Sequence, residues 1–511
     1  MSLKSQASQR SQPSILMIQA DQLSASALSC YGNSITQTPH LDRLAGEGAV
    51  FEEAYCNYPL CAPSRFSMMT GQLASRIAAY DNGAEFPAGI PTFAHYLRAA
   101  GYRTCLSGKM HFIGPDQLHG YDQRLTSDIY PSDFVWAANW DEARQRDTNG
   151  PGAVTVAGPC QESVQIQYDD QVAAQACDWL EQCRDDDRPF LLTVSFTHPH
   201  DPFVCGYDDW ALYEGVEIPL PETPQAQDPH SQKILQQFGM ADITFSDAEI
   251  VRARRGYYGS VSYFDRKIGQ VLAALEASGR AENTIVLVTA DHGEMLGEQG
   301  LWMKKVFFEN AIKVPLIFWR PGRIAAKRIS GLVSLVDLLP TLMGLAGQDT
   351  SDGEGPVEPV DGLDLTPALW GSEDLPERPL RAELTCEGSD GPVLLLRRGS
   401  LKYIWSTVDP PLLFDLETDP NEVENLAGRT EWAEREAALL SDVTALWEPQ
   451  ELARAVRLSQ VRRGLITRAH KTVGTPPDWD YRESVQPDSR WMRGETSYND
   501  WAFSSIIGLE K

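Results

Sequence analysis

Residues 14–22 read Ser-Ile-Leu-Met-Ile-Gln-Ala-Asp-Gln, a short apolar run that stops on a carboxylate. A continuous run of this length is what a strand buried on both faces of a parallel sheet requires. The pattern recurs at 190–197 (Phe-Leu-Leu-Thr-Val-Ser-Phe-Thr) and at 284–290 (Thr-Ile-Val-Leu-Val-Thr-Ala). Each run ends on a polar cluster: Asp21-Gln22, His198-Pro-His200-Asp201, and Asp291-His292-Gly-Glu294. Open α/β sheets place ligands beyond the carboxyl ends of their strands, so three such ends predict one shared site. Helical stretches lie between them, at 92–100 closed by Gly101 and at 261–278 closed by Gly279. The alternation predicts an α/β fold with a large, mostly parallel sheet flanked by helices.

Outward from these strands, composition shifts at 346–362, where Gly, Asp, Glu and Pro crowd into a linker or loop. Beyond it, 393–405 reads as a hairpin and 431–446 as a helix, so a smaller C-terminal α+β part follows. The expected organisation is a large domain over 14–345 that carries the site, a smaller subdomain over 363–450 and an extension over 451–511. The last 40 residues lack clear periodicity but carry Trp479, Tyr481, Trp491, Tyr498, Trp501 and Phe503, which suits a tail laid across another surface.

The chain has 511 residues and a net charge of −27. That field repels nucleic acid and anionic membranes as partners, and any anion site must be locally positive. Nine cysteines without a Cys-x-x-Cys pattern point to reduced thiols rather than a disulfide framework. The polar start, with no apolar signal segment or membrane-length run, makes a cytoplasmic protein the expectation.

Residues 61–72 read Cys-Ala-Pro-Ser-Arg-Phe-Ser-Met-Met-Thr-Gly-Gln. A cysteine at a proline turn is often only a small core residue, and five letters alone carry false positives. Arg65 lies four residues after Cys61, so a helix beginning near Ser64 puts both on one face. Asp21, Gln22 and Asp291 offer hard oxygen donors and His292 one imidazole, a set closer to calcium than to zinc. Gly108-Lys109-Met110-His111 can turn both its cationic residues to the site if the chain there is extended.

Cys-x-Pro-Ser-Arg followed by Thr-Gly resembles the signature of formylglycine-dependent sulfatases, members of the alkaline phosphatase-like superfamily. The resemblance implies oxidation of Cys61 by a formylglycine-generating enzyme to an aldehyde whose hydrate is the nucleophile. It implies that Asp21, Gln22, Asp291 and His292 hold a divalent cation, usually Ca²⁺, with Mg²⁺ or Mn²⁺ as alternatives. Arg65 would hold the hydrated aldehyde, and Lys109 and Lys304 the sulfate. His200 would be the leaving-group acid and His111 would help break down the sulfated hydrate. His198 reads as structural, and Lys305, beside Lys304, as solvent-facing.

The similarity narrows at Tyr80-Asp-Asn-Gly-Ala-Glu-Phe, Ser107–Gly120, Asp128–Trp136, Ser195–Pro202 and Gly300–Glu309. These segments resemble choline-sulfatases, which cleave choline-O-sulfate to choline and sulfate. A quaternary ammonium donates no hydrogen bonds and is recognised by aromatic faces and carboxylates. On the same resemblance Trp136, Asn149, Glu387 and Asp500 are choline-facing, with Asp500 acting across a homo-oligomer interface, in a dimer or tetramer. One departure stands out. Residues 140–149 are shorter than in typical members and lack their aromatic cluster, which leaves room for a related alkyl sulfate. Two other readings compete: a phosphonate or phosphate monoester hydrolase, and a catalytically dead choline-binding protein with Cys61 unmodified.

Overall fold

A computed structural model describes residues 12–141, 150–347, 355–371, 373–481, 502–503 and 506–509. Its centre is a sheet of eight strands: β1 (Ser14–Ala20), β2 (Ala49–Tyr55), β3 (Arg103–Gly108), β4 (Gln123–Arg124), β5 (Phe190–Ser195), β6 (Thr284–Ala290), β7 (Leu316–Trp319) and β8 (Lys327–Ser334). Their order is β8-β2-β7-β6-β1-β5-β3-β4. β1 pairs in parallel with both β5 and β6, which puts the three predicted strands side by side at the centre. All residues of β1, β5 and β6 are buried, as continuous Ile, Leu and Val runs demand. The sheet departs from parallel at β7, which runs antiparallel to β2 and β6.

Helices cover the sheet. Three matter for the site and its surroundings: α1 (Cys61–Thr70), α2 (Asp247–Ala277) and α3 (Pro449–Val473). The expected helix at 261–278 is the second half of α2, which starts at Asp247. There Ser246 accepts from the Glu249 N–H while Glu249 caps the Ser246 N–H, a reciprocal box that satisfies two orphan donors. Similarly, α1 begins at Cys61 rather than near Ser64, so Cys61 occupies the first turn.

A second sheet, antiparallel and four-stranded, joins β9 (Leu380–Leu384), β10 (Val393–Arg398), β11 (Leu401–Ser406) and β12 (Leu412–Asp415). The expected hairpin is β10–β11, and the helix expected at 431–446 forms over Ala433–Leu446. This sheet meets the large one through Asn57, whose side chain donates to the Arg381 carbonyl while its own carbonyl accepts from Glu383. Beyond it, α3 runs unbroken from Pro449 across the boundary expected at 451, an element that the hydrophobic pattern does not announce. No helix among the described residues is long and apolar enough to cross a membrane. All nine cysteines are unpaired, as expected.

Candidate active site

The carboxyl ends of β1, β3, β5 and β6 and the first turn of α1 converge. Asp21, Cys61, Asp291 and His292 are all buried there and bring one ligand atom each within 4.8 Å of one another. Cys61 Sγ lies 3.3 Å from His292 Nε2 and 3.8 Å from Asp21 Oδ1. His292 Nδ1 donates to its neighbour's carbonyl, Gly293 O, at 3.0 Å, which leaves Nε2 to offer its lone pair to the cluster.

Arg65 is the bracket of this cluster. Its Nε donates to Asp291 Oδ2 at 2.8 Å and its Nη2 to Asp21 Oδ2 at 3.0 Å. Nη1 reaches the Lys109 carbonyl at 2.6 Å and Ser195 Oγ at 2.8 Å. The guanidinium fork thus ties the ends of four strands together, a task that lysine's point charge cannot do. Burial alone would raise the Asp21 carboxyl, but Lys109, His200, Arg65 and His292 hold it well below the usual carboxylate range.

Lys109 Nζ pairs with Asp21 and lies 4.0 Å over the Tyr130 ring. Lys304 Nζ donates to the Gln22 side-chain carbonyl and, at 2.8 Å, to His200 Nε2. His200 Nδ1 is fixed by the Asp201 carbonyl at 2.8 Å, so Nε2 is the nitrogen turned to the site. His111 is buried, and neither ring nitrogen has a partner among the described residues. Burial, reinforced by Lys109, pushes its imidazole well below its ordinary value and keeps it neutral. These positions bring together Cys61, Arg65, Lys109, His111, His200, Lys304, Asp21, Gln22, Asp291 and His292.

Several local expectations change. Lys109–His111 is not extended: His111 has φ +60°, and the Met110 and His111 N–H groups both donate to Asp128 Oδ2, at 2.9 and 2.7 Å. Gly108 permits this turn, because a Cβ there would sit 1.9 Å from the Ser195 carbonyl oxygen. Gln22 also has a left-handed backbone, φ +64°. Its amide nitrogen donates to Asp201 Oδ1 at 3.2 Å and Glu294 Oε2 at 2.5 Å, and its side-chain carbonyl accepts from Lys304. His198 is bound through Nδ1 to Asp169 Oδ2 at 2.6 Å and packs on Tyr263.

Lys305 is not solvent-facing. It is buried and its Nζ pairs with Glu387 Oε1. Left-handed backbones at Met303 (φ +64°) and Lys305 (φ +73°) turn both adjacent lysines inward. Glu387 Oε2 is buried without a partner among the described residues. Trp136 is half-buried, 5.0 Å from Tyr130 and 5.3 Å from His111 between ring centroids, so an aromatic wall adjoins the lysines. Asn149 and Asp500 lie outside the described residues. Tyr130, Asp128 and Asp201 belong to the site without having been singled out by residue type. Their signal was position alone, within the segments that carry Trp136 and His200.

The donor set suits a hard divalent cation: two carboxylates and one neutral imidazole, with the Cys61 side chain as the fourth corner. Cys61 itself stands where an oxygen in place of sulfur would meet the same groups. The Sulfatase family model matches residues 13–348. Among curated relatives, a choline-sulfatase of Rhizobium meliloti is 40% identical over 497 residues, covering 94% of this chain and 96% of its own. Human iduronate 2-sulfatase is 30% identical, over 65% of this chain and 68% of its own. Among solved structures, the phosphonate monoester hydrolase of Agrobacterium radiobacter aligns with a TM-score of 0.69 at 23% identity, covering 85% of this chain and 95% of that one. At that identity the likeness speaks for the fold.

Proposed function

Because the chain belongs to the sulfatase family and is a sulfuric ester hydrolase, we propose that the ester it cleaves is choline-O-sulfate. The observation that carries this reading is the adjacency of anion-binding and cation-binding walls. Lys109 pairs with Asp21 on one side and lies over Tyr130 on the other, and Tyr130 packs against Trp136. A substrate with a sulfate at one end and a quaternary ammonium at the other fits that polarity. The buried, unpartnered Glu387 Oε2 supports a cationic headgroup, and the Rhizobium relative supports its identity.

Asp21, Asp291 and His292, with Gln22 beside them, would hold a divalent cation, Ca²⁺ ahead of Mg²⁺ or Mn²⁺. When present, that cation and a formylglycine made from Cys61 by a maturation enzyme supply a hydrated aldehyde nucleophile in an electrophilic setting. The chain's own residues do the rest. Arg65 holds the two carboxylates in register. Lys109 and Lys304 neutralise the non-bridging oxygens of the sulfate. His200 turns Nε2 to the site, and once protonated there, in place of accepting from Lys304, it would give that proton to the leaving oxygen. His111, neutral and with no hydrogen-bond partner for its ring among the described residues, can accept a proton there. Asn149 and Asp500 complete the headgroup pocket in this reading, Asp500 from a neighbouring subunit of a cytoplasmic dimer or tetramer.

The test is steady-state turnover of choline-O-sulfate by wild type and Cys61→Ala, with peptide mass spectrometry of position 61. The variant is expected to lose at least about 10³-fold in kcat, as removal of a nucleophile does. Unchanged turnover would sink the mechanism. Faster turnover of an aryl phosphonate ester than of choline-O-sulfate would move the substrate to that class.

A further inference from the structure

The loop Tyr80-Asp81-Asn82-Gly83 touches two parts of the site at once, the first turn of α1 and the segment that carries Trp136. The Asn82 side-chain carbonyl accepts the N–H of Ala62, next to Cys61 in the first turn of α1, at 3.0 Å. Asp81 Oδ2 accepts the N–H of Ala138, two residues after Trp136, at 3.1 Å. Gly83 lies against the Trp136–Ala137 peptide so closely that a Cβ there would be 2.3 Å from the Ala137 nitrogen. No side chain cushions this contact, so a shift of the loop is a shift of Trp136.

What fixes the loop comes from far along the chain. Arg463 of α3 forms a two-pronged pair with Asp81, Nη1 to Oδ1 and Nη2 to Oδ2, the latter at 2.8 Å. Both residues are buried. On the same face of α3, Gln460 Oε1 accepts the Trp140 N–H at 2.9 Å, and Arg457 Nη1 donates to Asp141 Oδ1 at 2.9 Å. Gln460 and Arg457 therefore hold the segment that follows Trp136 directly, and Arg463, on the same face, holds it through Asp81. A buried ion pair is weak evidence for stability by itself, and register is its best-attested use. Here the Asp81 carboxylate takes two guanidinium N–H groups and the Gly83 and Ala138 amides. Such a joint is rigid and fully satisfied.

We propose that Arg463 is a positioning residue for substrate specificity: through Asp81 it sets the place of Trp136, and so the cation end of the pocket. The inference rests on the reading of Trp136 as the ammonium-facing wall. Among the described residues Arg463 bonds neither to the lysines nor to Cys61. It reaches Trp136 through Asp81 and Gly83, and the turn of Cys61 only through the Asn82 side chain one residue on, so its effect falls first on the headgroup.

The experiment compares Arg463→Met, Arg463→Lys and Trp136→Ala on choline-O-sulfate and on an aryl sulfate that carries no cation. Trp136→Ala and Arg463→Met should each raise KM for choline-O-sulfate roughly tenfold with kcat within about twofold, and leave the aryl sulfate near wild type. Arg463→Lys should recover part of the loss, since it keeps the charge but not the fork. If Trp136→Ala discriminates between the substrates while the Arg463 variants shift both alike or neither, the positioning role falls and the aromatic wall stands. If Trp136→Ala does not discriminate, the wall falls and this inference with it. Should Arg463→Met fail to fold, Arg463→Lys decides alone, and wild-type kinetics in that variant would overturn the assignment.

Discussion

At the scale of single residues, Asp128 shows how one buried carboxylate can organise the turn that carries Lys109 and His111. Its Oδ2 accepts from Met110, His111 and Arg124, and its Oδ1 from the Tyr130 N–H at 3.2 Å. One side chain thereby fixes the turn that aims His111 and the start of the segment that carries Tyr130. Burial would raise this carboxyl, but Arg124 and the N–H groups of Met110 and His111 hold it below the usual range. A depressed carboxyl contributes stability that is fully present above its unfolded value and fades as pH falls through its folded one. Asp128→Asn leaves the Arg124 guanidinium buried without its counter-charge, though still bonded to Gln117 and Thr126, and should cost about 3 kcal/mol at neutral pH. The gap to wild type should stay constant from about pH 8 down to about pH 4 and close below that. Urea unfolding of both proteins across that range reads it directly, and a gap that widens toward acid would refute the assignment.

At the scale of elements, the strands that build the site were legible because a strand buried on both faces must be apolar throughout. Asp21, His200 and Asp291 each follow such a run, and β1, β5 and β6 lie adjacent as that pattern implies. β7 escaped because Leu316–Trp319 is only four residues long, and α3 because part of its inward face is polar, with Gln460 and Arg463 buried. Side-chain direction was the least legible property. Nothing in Lys304-Lys305 says that left-handed backbone turns both lysines inward, and nothing in Gly108–His111 announces a bend. The long helix α2 shows the reverse case, a local signal with a clear physical effect. Ser246 and Glu249 close its first turn far from the chemistry. Ser246→Ala should therefore cost about 1 kcal/mol of stability and leave kcat/KM for choline-O-sulfate unchanged. A matching loss of activity would mean that the start of α2 is coupled to the site.

At the scale of the whole molecule, a net charge of −27 surrounds a site whose buried cations are Arg65, Lys109, Lys304 and Lys305. The long-range field repels anions, while in the proposed reading the local groups bind them. Choline-O-sulfate is a zwitterion of zero net charge, so the field acts on it only through its dipole. An aryl sulfate carries a full negative charge and must climb the same potential. Salt separates the two cases, because the screening length shrinks from about 30 Å at 10 mM to about 8 Å at 150 mM ionic strength. Across that range kcat/KM for the aryl sulfate should rise several-fold as repulsion is screened. For choline-O-sulfate it should stay nearly flat, and the preference for the zwitterion should narrow accordingly. Equal salt dependence for the two esters would mean that the acidic surface does not reach the mouth of the site. Discrimination would then lie wholly with the aromatic wall and the carboxylate beside Lys305.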